Sequence, residues 1–75
     1  MGIDEFVKNF SELFEETDAR GFKPSTQFRE IEEWSSLLAL SVIAMVDEKY
    51  HVSLTGDDIR NSTDINDIFN IVKTK

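Results

Sequence analysis

The sequence predicts an all-α fold, a small four-helix bundle with three longer helices, one short third helix and a long loop between the first two. Apolar residues recur at spacings of three and four along most of the chain, which is the pattern of helices that bury one face. The chain has 75 residues, of which 40% are hydrophobic and 31% charged, as in a globular domain rather than a disordered tail. We therefore treat residues 1–75 as a single domain.

The first helix is expected from residue 3 to about residue 16. Its apolar residues share one face, and they are Ile3, Phe6, Val7, Phe10, Leu13 and Phe14. A phenylalanine-rich stripe of this kind is more typical of a core than of a ligand site. Gly21 is expected to end this region, because glycine can adopt the left-handed conformation that satisfies the last carbonyl groups of a helix.

The connection from residue 22 to residue 34 contains the helix breaker Pro24, yet it is too rich in large apolar side chains to lie free in water. These side chains are Phe22, Phe28, Ile31 and Trp34. Full burial of each contributes roughly 1.5–3 kcal/mol, so we expect the loop to pack against the bundle. Glu30, Glu32 and Glu33 are expected to face solvent as an acidic rim. Solvation is enough to explain such a rim, and a docking role is the alternative.

The second helix is expected to start near Ser35 or Ser36, because serine is a preferred N-cap, and to run to about residue 50. Its first three turns are apolar on almost every side. The stripe expected to face the core is Leu40, Ile43, Val46 and Tyr50, or a neighbouring one. Leu38 and Met45, on either side of Ser41, would then remain near the surface as an apolar strip for partners or ligands. A central helix that is covered on most sides is the alternative.

Local capping signals predict the last two helices. Thr55 with Asp58 should begin the short third helix, and Asp64 with Asp67 should begin the fourth. The inward stripe of the fourth helix is expected to be Ile65, Ile68, Phe69 and Val72. The pair Asp57-Asp58 lacks the alternating oxygen ligands and the closing glutamate of a calcium loop, so no metal site is expected.

Composition disfavours several function classes. The net charge of -7 opposes binding to nucleic acid and to anionic membranes, and it favours partners with basic docking patches. The apolar run at residues 37–46 is well short of the roughly 20 residues that span a bilayer, so no stable membrane insertion is expected. The acidic N-terminus lacks the basic region of a signal peptide, which predicts a cytoplasmic location.

Ser36 is the candidate residue for covalent chemistry, but the sequence offers it no catalytic partner. The only histidine, His51, would lie about 22 Å away along the helix axis at about 1.5 Å per residue, too far to act as a base for the serine. The lack of cysteine leaves no thiolate nucleophile, no disulfide and no cysteine metal site. A serine hydrolase is therefore disfavoured, and no catalytic residue is predicted.

The run from residue 35 to residue 54 resembles the core of the acyl carrier proteins. In that family a Ser-Leu pair opens the second helix, an aromatic residue follows fourteen positions after the serine, and an apolar-x-apolar step comes next. Here these features are Ser36-Leu37, Tyr50 and Val52-x-Leu54. Together with the size, acidity and four-helix layout, the resemblance covers nearly the whole chain.

The resemblance implies that Ser36 carries 4'-phosphopantetheine, transferred from coenzyme A by a phosphopantetheinyl transferase. The chain would then be a monomeric carrier, not an enzyme, and would shuttle acyl thioesters between enzymes of fatty-acid, lipid or related acyl metabolism. The partner enzymes would have basic and apolar docking patches. Residues expected to line a pocket for the acyl chain are Leu40, Ile43, Met45, Val46, Ile59 and Ile65.

Two departures from the family pattern affect the expected partners. Ser35 replaces the aspartate that usually precedes the modified serine, and Leu38 and Ser41 stand where acidic residues are common. The residues expected to recognise partners are Ser35, Leu37, Leu38, Ser41, Met45, Asp47 and Glu48, with more apolar contact and less salt dependence than is usual. An aminoacyl or peptidyl carrier, and an unmodified acidic helical module in which Ser36 is merely a cap, are the alternatives.

Overall fold

The computed structural model describes residues 2–75, and this part of the chain contains four α-helices. They are α1 at Ile3–Ser11, α2 at Ser36–Tyr50, α3 at Gly56–Arg60 and α4 at Ile65–Thr74. Two short 3-10 turns, Ala19–Gly21 and Phe28–Glu30, lie in the long connection between α1 and α2. Residues 2–75 contain no strand. The predicted all-α fold with a short third helix and a long first loop is confirmed.

One side of the core is an aromatic cluster that joins α1 to the long loop. Phe10 of α1 is fully buried, and its ring centroid lies 5.8–6.5 Å from those of four further aromatic residues. These are Phe14, Phe22, Phe28 and Trp34. Because the last three belong to the connection, their packing against Phe10 holds the loop against the helices. The prediction of a packed loop is confirmed.

The loop is also fastened to α3 and α4 by hydrogen bonds. The backbone N–H groups of Ile65 and Asn66, at the start of α4, donate to the carbonyl oxygens of Thr26 and Pro24 at 3.2 and 2.9 Å. Arg29 of the loop donates from Nη1 to the carbonyl oxygen of Ile59 at 2.9 Å and from Nη2 to that of Ser62. The loop therefore bridges α1 to the C-terminal half of the chain.

α1 ends earlier than the periodicity predicts. The helix stops at Ser11, and the residues up to Phe14 continue in tighter turns that still bury the Phe14 ring. The backbone N–H groups of residues 15–17 donate to the carboxylate of Glu33 rather than to carbonyl groups one helical turn back. The expected left-handed end at Gly21 is wrong, because this glycine belongs to a 3-10 turn and has no positive φ.

α2 is rotated relative to the orientation expected for it. Val42, Met45 and Val46 are buried, whereas Leu37 and Leu40 have 73% and 63% of their surface exposed. The expectation of Leu40 inside and Met45 outside is therefore wrong. Because the helix is apolar on nearly all sides, its own pattern does not select a buried face. Contacts between α1 and the C-terminal end of α2 select the face of α2 that is buried.

Those contacts centre on Tyr50. Its hydroxyl accepts a hydrogen bond from Asn9 Nδ2 at 2.9 Å, and its ring centroid lies 5.6 Å from that of Phe6. His51 then ends α2 in the left-handed conformation, with φ 56°. The rotation of α2 is thus tied to α1 by residues more than forty positions apart in sequence.

The capping predictions for α3 and α4 are confirmed. In α3 the Thr55 side chain accepts from the N–H of Asp58, whose carboxylate accepts from the N–H of Thr55. Asp64 and Asp67 form the same reciprocal pair at the start of α4. The inward stripe of α4 is buried as expected, and it comprises Ile65, Ile68, Phe69 and Val72. None of the helices in residues 2–75 combines the length and apolar character needed to cross a bilayer.

Candidate functional site at the start of α2

The two adjacent serines at the start of α2 have different environments. Ser35 is the N-cap in extended conformation, and its Oγ accepts a hydrogen bond from the backbone N–H of Leu38 at 3.4 Å. Ser36 is the first residue of the helix and is exposed, and its hydroxyl has no hydrogen-bond partner within residues 2–75. The Ser35 side chain therefore stabilises the helix start, whereas the Ser36 side chain faces solvent.

Glu33 and Trp34 hold the backbone just ahead of these serines in place. The Glu33 carboxylate accepts hydrogen bonds from the N–H groups of Glu15, Glu16 and Thr17 and from the Thr17 hydroxyl, at 2.8–3.1 Å. The Trp34 ring centroid lies 4.8 Å from that of Phe28. The first turn of α2 therefore starts from an anchored segment.

The same hydrogen bonds set the ionisation of Glu33. Partial desolvation raises the pKa of the Glu33 carboxyl, but the four hydrogen bonds that it accepts outweigh this effect, so the pKa lies below its ordinary value. The prediction that Glu33 faces solvent as part of an acidic rim is wrong, since its side chain is half-buried and committed to the turn after α1. Glu30 and Glu32 are exposed as expected.

A cleft of about 550 Å³ opens between α2 and α3 beside Ser36. We call it the α2–α3 cleft, and it is lined by Arg29, Trp34, Ser35, Ser36, Ala39, Leu40, Ile43, Gly56, Ile59 and Arg60. The walls are mostly apolar, and the two charged residues among them are arginines. The cleft can therefore accept an apolar chain, and its rim can accept an anion.

Only part of the expected acyl pocket comes together in this cleft. Leu40, Ile43 and Ile59, three of the residues named for that pocket, line the cleft. Val46 and Ile65 do not, because both are fully buried in the core. Met45 also lies elsewhere, with 5% of its surface exposed, and it lines a separate hollow together with Leu13, Ser41, Ala44, Glu48 and Lys49.

On its other side, the start of α2 borders a groove of different character. This acidic groove has a volume of about 340 Å³ and is lined by Leu13, Glu15, Glu16, Glu33, Ser35, Leu37, Leu38 and Ser41. Four of the residues expected to recognise partners lie here, namely Ser35, Leu37, Leu38 and Ser41. Asp47 and Glu48 are exposed further along α2, while Met45 is too deeply buried to meet a partner.

The sequence interpretation missed several residues that shape the site. Trp34, Ala39 and Gly56 line the cleft, and Arg29 and Arg60 supply its charge. One signal was present, because Arg29 is the only basic residue between Lys23 and Lys49. Its position next to α3, however, depends on the path of the long loop, which no local pattern encodes.

Two further observations concern the surroundings of the Ser36 hydroxyl. No titratable side chain within residues 2–75 is hydrogen-bonded to its hydroxyl, and His51 lies at the opposite end of the 15-residue α2. The described part of the chain also holds no group of three or more histidine, aspartate or glutamate side chains that could bind a metal ion. Comparisons with protein-family models, with curated proteins and with solved structures gave no match.

Proposed function

We propose that this protein is an acyl carrier whose Ser36 hydroxyl receives 4'-phosphopantetheine from coenzyme A. The observation that carries the proposal is the contrast between the two serines: Ser35 is used as a cap, while Ser36 presents an exposed, unbonded hydroxyl on the first turn of an anchored helix. The resemblance of residues 35–54 to the acyl carrier proteins supports the same assignment.

The residues around Ser36 fit the group that it would hold. The free N–H groups and the positive dipole end at the start of a helix favour a phosphate at this position. The apolar side chains of Leu40, Ile43 and Ile59 offer a surface for an acyl chain beside it. When bound, the arm supplies a terminal thiol that carries acyl groups as thioesters, in a chain that has no cysteine of its own.

The attachment step requires only the hydroxyl from this chain. The Ser36 oxygen forms a new bond to the phosphorus that bears the pantetheine part of coenzyme A, while the bond from that phosphorus to the nucleotide part breaks. The serine proton passes to a base of the transferase, and the nucleotide leaves with the bonding electrons. This chain therefore acts as the substrate of the transferase and not as a catalyst.

The surface beside Ser36 suits repeated binding to several enzymes. Leu37 and Leu40 expose 73% and 63% of their surface and would offer apolar contacts to a partner. Asp47 and Glu48 are exposed near the other end of the same helix and add negative charge there. In this proposal the carrier is a cytoplasmic monomer, and partner enzymes contact it through apolar patches flanked by basic residues.

Intact-mass measurement tests the proposal. The purified protein is incubated with coenzyme A, magnesium and a broad-specificity phosphopantetheinyl transferase. We expect the wild type to gain the mass of one phosphopantetheine group and Ser36→Ala to gain none. Ser35→Ala is the matched control and should still be modified, although loss of its cap costs about 1 kcal/mol of stability.

The alternatives give different results in the same experiment. A wild-type protein that gains no mass would contradict the proposal and favour an unmodified interaction module that uses the exposed Leu37 and Leu40. An undiminished gain in Ser36→Ala would show that another residue is modified. An aminoacyl or peptidyl carrier would gain the same mass and differ in cargo alone.

A further inference from the structure

Another hollow, of about 380 Å³, lies between α1 and the long loop, and we call it the α1–loop hollow. Among its lining residues are three apolar side chains and three basic ones. The apolar residues are Val7, Phe22 and Pro24, and the basic residues are Lys8, Arg20 and Lys23. No residue that lines it also lines the α2–α3 cleft or the acidic groove. The hollow is therefore separate from both surfaces beside Ser36.

The hollow lies on the side of α1 that faces away from α2. The residues of α1 that line it are Asp4, Val7, Lys8 and Ser11. At about 100° per residue, the centre of this face is roughly 150° around the helix from Asn9. Asn9 is the residue of α1 whose side chain is hydrogen-bonded to Tyr50 of α2. A short segment bound in the hollow therefore need not cover the start of α2.

The loop side of the hollow is fixed before anything binds. The ring centroid of Phe22 lies 5.0 Å from that of Phe14, and the backbone N–H of Phe22 donates to the carbonyl oxygen of Ala19 at 3.2 Å. The carbonyl oxygen of Pro24 accepts a hydrogen bond from the N–H of Asn66 at the start of α4, at 2.9 Å. Because this wall is already formed, a ligand would lose little affinity to the ordering of the protein.

The charge of the hollow is opposite to that of the chain. Three of the eight basic residues of the chain line it, against one of the fifteen acidic residues, Asp4. Lys8 and Lys23 form no ion pair within residues 2–75. Arg20 pairs with Asp18, but the side chains of this pair are 92% and 60% exposed, and such exposed pairs contribute little. The hollow therefore presents positive charge that an anionic group can use.

Shape and charge together indicate the class of partner. Nucleic acid or an anionic membrane would meet much of the protein surface, and the net charge of -7 repels such an extended anion. A short acidic segment would sense mainly the charges within about 8–10 Å, the screening length near physiological salt, and at this hollow most of them are basic. The volume is near the lower end of the range for ligand pockets, about 300–1,000 Å³, which suits an apolar side chain.

We propose that the α1–loop hollow is a docking site for a short acidic segment of a partner protein. An apolar side chain of the segment enters between Val7 and Phe22, and its carboxylates contact the three basic residues of the rim. This site goes beyond the carrier role and does not depend on attachment at Ser36. A protein held here leaves the start of α2 free for a different partner.

Titration of the isotope-labelled protein with a synthetic peptide tests the proposal. The peptide has glutamates on both sides of a central leucine, and amide chemical shifts report where it binds. We expect the largest shifts at Ser11, Ala19 and Lys23, in the hollow, and no shifts at Gly56 and Ile59, in the α2–α3 cleft. A peptide with glutamines in place of the glutamates should not bind. A peptide with alanine in place of the leucine should bind more weakly, because it buries less apolar surface.

Matched lysine variants test the role of the charge. The double variant Lys8→Gln with Lys23→Gln should weaken peptide affinity by roughly two- to thirtyfold, the range expected for the loss of two exposed ion pairs. Lys49→Gln is the control, because Lys49 is also an exposed lysine without an ion pair in the described part of the chain, and it does not line the hollow. This control should bind the peptide as the wild type does. The amide spectrum of each variant without peptide verifies that its fold is retained.

Several outcomes would overturn the proposal. They include no binding of the glutamate peptide to the wild type, and shifts confined to residues outside the hollow. Equal affinity in the double variant, or the same loss in Lys49→Gln, would also overturn it, since net charge alone would then explain the result. Sedimentation of the protein with phosphatidylglycerol vesicles, lost in the double variant, would assign the hollow to a membrane surface instead. The mass gain at Ser36 is measured separately, so failure of the docking site and failure of the carrier role are distinguishable.

Discussion

Replacing Arg29 by methionine tests whether the long loop is held to the end of α3 by the guanidinium. The change removes the donors to the carbonyl oxygens of Ile59 and Ser62, and it keeps an apolar side chain over the ring of Phe28. A hydrogen bond from a charged donor contributes roughly 1.5–3 kcal/mol, but Arg29 is exposed, so the smaller end applies to each bond. We expect a loss of about 2 kcal/mol after further discount for solvent screening.

Thermal and urea unfolding provide the measurement. For a domain of this size each kcal/mol shifts Tm by about 4–8 °C, so Arg29→Met should lower Tm by about 8–16 °C. Trp34 is the only tryptophan and packs on Phe28, so its fluorescence reports the loop, while circular dichroism reports the helices. The two signals should show the same transition if the loop and the helices unfold together.

Two controls decide whether the loss of stability comes from the two hydrogen bonds of the Arg29 guanidinium. Arg29→Lys keeps the charge but can reach one carbonyl oxygen at a time, so it should lose about half as much stability as Arg29→Met. Arg20→Met removes an exposed arginine that contacts only Asp18, two positions away, and should change Tm little. If Arg29→Met were as stable as the wild type, water would satisfy the two carbonyl groups equally well and the proposed fastening would be refuted.

Two further predictions concern the rotation of α2 and the anchoring of its start. Met45→Ala should cost about 2–5 kcal/mol because this side chain is buried, whereas Leu40→Ala should cost less than about 0.5 kcal/mol; similar losses in urea unfolding would contradict the orientation of α2. The lowered pKa of the Glu33 carboxyl stabilises the fold at a pH above the ordinary value of 4.5, and this contribution is lost as the pH falls through the lower folded pKa. Glu33→Gln should therefore be less stable than the wild type at neutral pH, and its stability should change less as the pH falls. Glu32→Gln, at an exposed glutamate, is the control. Unfolding curves recorded across this pH range would disprove the role of Glu33 if the two variants behaved alike.

The sequence by itself determined the number of helices, their order and most of their starting points. The caps at Ser35, Thr55 and Asp64 are recognisable because each forms its hydrogen bond to a residue three positions ahead. The buried face of α4 is equally local, since its apolar residues repeat with the period of one helix and, apart from the half-buried Ile71, the residues outside this face are polar. The serine at the start of α2 and the resemblance that singles it out were likewise available without a structure.

The tertiary structure alone decided which face of α2 is buried, where α1 ends and what surrounds Ser36. An apolar helix contains no internal signal for its rotation, and the hydrogen bond from Asn9 to Tyr50 joins residues distant in sequence. The Glu33 carboxylate likewise accepts hydrogen bonds from the N–H groups that follow α1, which are also distant from it in sequence. Arg29 reaches α3 only because the loop is folded back over the core. These contacts depend on chain segments that meet after folding, which is why the cleft and its charge appear in the structure and not in the sequence pattern.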